Sequence, residues 1–173
     1  MKKILITILL IMSILPAAAK TLTGGVVYTV ESAREAAFEG IEYEISMEPF
    51  KKYMKDPGFI AAANTEGGKP RVSKRGRRVE YFSDGGYAVR YRNNLLLAFY
   101  YDKKGVLIAI ETGNLQKFPF VSRKYNARGL LIHSILNVSK TEAYMYNADK
   151  KLQVHWVDDK CYDADGHIIM YRY

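Results

Sequence analysis

The chain is poor in cysteine, with Cys161 alone among 173 residues. A fold stapled by disulfides within one chain is therefore excluded, since a bridge needs two thiols. Five prolines and thirteen glycines exclude a collagen-like or Pro-rich low-complexity chain. A glycine-rich phosphate loop, a nucleophile elbow and a helical pair of metal-binding histidines are all missing. No apolar run approaches the roughly 20 residues that a membrane-spanning helix requires; the run Ile4 to Leu15 falls well short.

What is present suits one globular domain. Hydrophobic residues make up 49% of the chain and aromatics 13%, enough to exclude wholesale disorder and to build one core, while the length excludes two large domains. Met1-Lys2-Lys3, the run Ile4 to Leu15, and Pro16-Ala17-Ala18-Ala19 have the three parts of a secretory signal peptide: a cationic start, an apolar centre and small residues at a cleavage site. The expectation is export to a periplasmic or extracellular space, with residues 1–19 removed, the mature chain starting at Lys20 and no transmembrane segment left after cleavage. Losing Lys2 and Lys3 lowers the formal charge from +8 to +6. In an oxidising space a lone Cys161 is expected to be buried as a small hydrophobe.

Residues 20–60 read as strand, helix, strand, helix. Val26 to Val30 is β-branched and aromatic. Ser32 and Glu35 have capping-box spacing ahead of an alanine-rich segment stopped by Gly40. Ile41, Tyr43, Ile45 and Met47 alternate with Glu42, Glu44, Ser46 and Glu48, which predicts a half-buried strand, and Pro49 opens a short helix through Phe50 and Tyr53. Residues 61–78 lack periodicity and predict an exposed basic loop. From Val79 to Tyr173 short alternating segments and turn signals predict an antiparallel meander of about eight to ten strands. The fold class is α+β, mainly antiparallel β-meander, with 20–60 and 79–173 in one domain.

The turns share a pattern. Tyr101-Asp102-Lys103-Lys104-Gly105-Val106-Leu107 recurs from Tyr125 with Asn126 and Gly129, and from Tyr162 with Asp163 and Gly166. Tyr146 and Asn147 open a copy without the glycine, and Tyr81 to Gly85 is a looser one. The aromatic closes one strand, Asp or Asn bonds the turn backbone, Gly takes the left-handed conformation and an aliphatic residue starts the return strand. Over residues 81–173 this resembles the YD/RHS repeats and the MORN-like hairpin repeats of bacterial surface and exported proteins. The resemblance implies a twisted antiparallel sheet that serves as scaffold or binding surface without catalysis.

The densest charge lies at Lys69, Arg71, Lys74, Arg75, Arg77 and Arg78, with no anion among them. Guanidinium groups suit an anionic partner, an envelope polyanion or a lipid headgroup, with a glycan or protein partner also open and nucleic acid disfavoured by export. The function expected is a non-enzymatic binding module using the basic loop and a tyrosine-rich sheet, with no cofactor or metal. Two alternatives stay open: a small periplasmic thiol hydrolase using Cys161 with His155 or His167, and a structural surface repeat protein. Asp163-Ala164-Asp165-Gly166 imitates part of a calcium loop, but its flanking positions lack the oxygen ligands such a loop needs.

Overall fold

In the computed structural model, residues 27–55, 71–73, 76–82, 84–91, 94–113 and 117–171 are described. Residues 1–26, which include the expected leader, lie outside them, as do Lys69, Lys74 and Arg75. One antiparallel sheet of eleven strands runs in strict chain order: β1 (Arg71–Ser73), β2 (Arg77–Tyr81), β3 (Tyr87–Tyr91), β4 (Asn94–Tyr101), β5 (Leu107–Gly113), β6 (Phe120–Asn126), β7 (Leu131–Asn137), β8 (Glu142–Asn147), β9 (Leu152–Val157), β10 (Lys160–Tyr162) and β11 (Ile168–Tyr171). The expected meander is thus observed, and it starts earlier than expected. Arg71–Ser73 and Arg77–Arg78, read as loop, form a hairpin in which Val72 faces Arg78, closed through Gly76 at φ +71°.

Local chemistry accounts for the recurrent turns. Asp102 Oδ1 accepts from the backbone N–H groups of Lys104 and Val106 at 2.8 and 2.9 Å. Asn126 does the same for Arg128 and Leu130, and Asp163 for Asp165 and His167. Gly105, Gly129 and Gly166 take φ values of +74°, +88° and +84°; in the copy that lacks glycine Lys150 is forced to +63°, a conformation costing roughly 1–2 kcal/mol for a residue with a Cβ. Beyond each turn the pairing slips, so that Tyr101 faces Leu107, Tyr125 faces Leu131, Tyr146 faces Leu152 and Tyr162 faces Ile168 across a bulge. Because alternate connections of a meander share an end, these turns line one end of the sheet.

The N-terminal segment departs from its local pattern. Val30 opens α1 (Val30–Phe38), and the reciprocal cap is Thr29 with Ser32, one turn earlier than the expected Ser32–Glu35 pair. The strand expected at Val26–Val30 is therefore absent over 27–30, and Ile41–Met47 forms only a bridge between Glu44 and Leu130. Residues 27–30 lie over a face of the sheet, whereas residues 43–45 pass the β6–β7 turn, where the Ile45 N–H donates to the Gly129 carbonyl and the Leu131 N–H to the Tyr43 carbonyl; β7 already has a strand on each side. The short helix at Pro49 is present as a 3-10 turn, Glu48–Tyr53.

Ala33, Ala37 and Phe38 of α1, together with Phe50 and Tyr53, cover one sheet face over Val79, Val89, Phe99, Ile110, Leu131 and Leu136. Tyrosine hydroxyls fasten this layer. Tyr125 donates to the Glu42 carbonyl at 3.0 Å, Tyr144 to Tyr28 at 3.1 Å and Tyr146 to Val30 at 2.7 Å. Ser134 Oγ donates to the Ala37 carbonyl, and Arg123 to that of Glu39. Each bond contributes about 1 kcal/mol net. Together they attach the N-terminal segment to the sheet at both ends of α1.

Candidate binding face of the sheet

Strand alternation splits the expected basic cluster. Arg77 sets its guanidinium over the Tyr91 ring at 5.1 Å, on the face that carries the helix. Arg78, the next residue of β2, is exposed on the opposite face. Arg71 begins β1, at the edge of the sheet. The described members of the cluster therefore do not form one contiguous loop surface.

Pairing register brings other groups to Arg78. Arg78 faces Arg90 of β3, Arg90 faces Ala98 of β4, Ala98 faces Glu111 of β5, Glu111 faces Lys124 of β6, and Lys124 faces His133 of β7. One row across six strands thus carries Arg78, Arg90, Lys124 and His133 around a single carboxylate. At about 4.8 Å per strand the stretch from Arg78 to Lys124 spans ~20 Å. No described helix packs on this face.

Within the row the charges are held firmly. Arg90 reaches Glu111 Oε2 at 3.4 Å, and the same oxygen accepts from the Tyr100 hydroxyl. Phe82 stacks on Tyr100 with ring centroids 6.1 Å apart, and the Lys124 ammonium lies 3.8 Å from the Tyr100 centroid. Burial pushes the Tyr100 phenol well above its ordinary 10.0, helped by the Glu111 charge and hydrogen bond. Burial lowers the Lys124 ammonium, with Glu111 opposing, and lowers His133, with Lys124 reinforcing. The arrangement is a half-dry cationic row whose own carboxylate is already engaged by Arg90 and Tyr100, with Glu80, two residues on from Arg78, on the same face in the neighbouring row that holds Tyr100.

Sequence reasoning missed Arg90, Tyr100, Glu111, Lys124 and His133, because each sits alone in its own strand and only pairing register gathers them. The tyrosines expected on a contact surface are mostly interior: Tyr81, Tyr87, Tyr101, Tyr125, Tyr144 and Tyr146 are buried. They pack the core and, in three cases, fasten the N-terminal layer.

The residues of the thiol alternative are not brought together. Cys161 is buried and paired in register with Trp156 and Met170, whereas His155 faces Tyr162, so thiol and imidazole leave opposite faces of the sheet. His155 instead stacks on Tyr144 at 3.9 Å between centroids and meets Glu142 Oε1 at 3.4 Å; burial lowers its pKa, with Glu142 opposing. His167 lies in the exposed β10–β11 turn beside Asp163 and Asp165. Asp163 there already holds two backbone N–H groups, as Asp102 does in its own turn, so turn formation explains the cluster.

Comparison of the chain with protein-family models, curated proteins and solved structures gives no match. Among the described residues no helix is long and apolar enough to cross a membrane.

Proposed function

We propose that this protein is an exported, non-enzymatic binding module that holds an anionic polymer, of the envelope polyanion or acidic glycan type, against the open face of its sheet. The observation that carries the reading is the cross-strand pair Arg78–Arg90. Like charges directly opposite in an antiparallel pair are unfavourable by a few tenths of a kcal/mol or more. Lys124 adds a cation kept partly dry by its neighbours. A bound polyanion would relieve both costs, and the band's length suits several successive anionic units rather than one small ion. Arg90 and Lys124 are held by Glu111 and Tyr100, so little side-chain freedom would be lost on binding.

Export rests on the leader-like first nineteen residues; the intact mass of material from a secretion-competent host should match a chain beginning at Lys20. The binding reading is tested with an anionic polysaccharide and, separately, with anionic vesicles across a salt series. Affinity should fall with salt, and the double variant Arg78→Ser, Lys124→Gln should lose roughly tenfold or more, equivalent to about 1.4 kcal/mol. Binding to neither probe, or equal binding by the variant, contradicts it.

A further inference from the structure

All four residues of β11 are apolar, and all are exposed: Ile168 43%, Ile169 54%, Met170 56% and Tyr171 49%. The repeat supplies an internal standard for them. Counted from the turn glycine, Ile168-Ile169-Met170-Tyr171 corresponds to Leu107-Ile108-Ala109-Ile110 of β5, where Leu107 is 2%, Ala109 3% and Ile110 0% exposed. Ile108 stays exposed because it is the extra residue of the bulge. β5 lies between β4 and β6, whereas β11 has β10 on one side and is the last strand of the sheet among the described residues. β11 therefore lacks two things that β5 has, a strand on its second side and the N-terminal layer over Leu107 and Ile110.

We propose that β11 pairs antiparallel with β11 of a second copy of this chain. An edge strand in a protein that stays alone normally carries a charge, a proline or a bulge that discourages pairing. β1, at the other edge among the described residues, begins with Arg71, a charge of the kind that discourages pairing. Ile168–Tyr171 has no charge and no proline; it does carry a bulge at Ile169, but β5 carries the same bulge at Ile108 and still pairs with β6 on its far side, the Ile108 carbonyl accepting from the Ala127 N–H at 3.1 Å. A two-fold axis through the edge sets Ile168 opposite Tyr171 of the partner subunit and Ile169 opposite Met170 of the partner subunit, apolar against apolar throughout. It also continues the order of the sheet, in which every neighbour is antiparallel, and gives an isologous contact that closes at two copies. Four residues a side are far fewer than the about 20–30 of a standard interface, so the dimer forms with rising concentration and dissociates on dilution.

Sedimentation velocity of the whole exported chain, over a concentration series reaching high micromolar, tests this together with hydrogen exchange at the same concentrations. The expected result is a monomer–dimer equilibrium with amides of 168–171 slowing as the dimer forms. Ile169→Lys and Met170→Lys, checked for an unchanged circular dichroism spectrum, should remain monomeric, and Val72→Lys at the opposite edge should dimerise like the parent. A parent that stays monomeric throughout, a dimer that survives both lysine variants, or a dimer without slowed exchange at 168–171 overturns the proposal. The exchange measurement decides the matter even if a lysine variant fails to fold.

Discussion

The hydroxyl of Tyr146, at the end of β8, donates to the carbonyl of Val30 in the first turn of α1 at 2.7 Å, across 116 positions of sequence. A repeat tyrosine is thus part of a fastening rather than a contact surface. The same tyrosine packs edge-on against Phe38 at the other end of the helix, with centroids 6.1 Å apart. Tyr146→Phe keeps the ring and removes the bond, so we expect a loss of about 1 kcal/mol. Faster hydrogen exchange in α1 should accompany it, with β2 to β5 little changed. A variant as stable as the parent, with α1 equally protected, would show that the hydroxyl contributes nothing.

Two glycines with nearly equal φ separate conformational strain from close approach. At Gly129 an added Cβ would lie 2.1 Å from the Ile45 carbonyl oxygen, while at Gly166 nothing lies within 4 Å. Gly166→Ala should cost the left-handed penalty alone, about 1–2 kcal/mol. Gly129→Ala should cost distinctly more and should release the bridge between Ile45 N–H and the Gly129 carbonyl, now 2.9 Å. Equal losses in chemical denaturation would refute the close-approach argument.

Stability should fall on both sides of neutrality. Burial, reinforced by Glu111 and Glu142 respectively, raises the phenols of Tyr100 and Tyr144; burial raises Tyr146 as well, with Arg34 opposing. Above pH 10, the ordinary value for all three, the unfolded chain releases protons that the folded chain keeps, so stability declines as pH rises further. Lys124, lowered by burial, acts in the opposite sense, one group against three. On the acid side His133 and His155 are both lowered from 6.5, so the unfolded chain gains protons first and stability is lost as pH falls below that value. Denaturation midpoints across pH should show a broad maximum between these limits, and His155→Gln should flatten the acid limb. An acid limb unchanged in that variant would remove His155 from the account.

Cys161 should be inert in the folded protein. It is buried and faces Trp156 and Met170 in register, so a thiol reagent should label it only at the rate of unfolding. Rapid labelling under native conditions would restore the thiol-hydrolase alternative.

The parts of this fold that were legible in the sequence are those decided by local chemistry. An Asp or Asn that bonds the turn backbone and a residue held at positive φ are requirements met within five residues, and Asp102 with Gly105 satisfies them without outside help. Residues 27–30 and 41–47 misled because their β-like patterns needed a free strand edge that the sheet does not offer them. Thr29 outcompeted Ser32 as the cap because Ser32 can return the bond to the Thr29 backbone at 2.9 Å. The cationic band was invisible for a different reason. Arg78, Arg90 and Lys124 are twelve or more positions apart, and a one-residue slip of any strand would send its member to the helix side. The conspicuous run Lys69 to Arg78, by contrast, places Arg77 and Arg78 on opposite faces.

The central claim is that the open face, and not the turn end or the β11 edge, receives the anionic polymer. Titrating isotope-labelled protein with an anionic polysaccharide while following amide and side-chain shifts tests it most directly. The account expects salt-sensitive changes centred on Arg78, Arg90, Glu111 and Lys124, with α1 and β10–β11 unmoved. Changes concentrated at the turns or at Ile168–Tyr171, or no changes at saturating polymer, would contradict it.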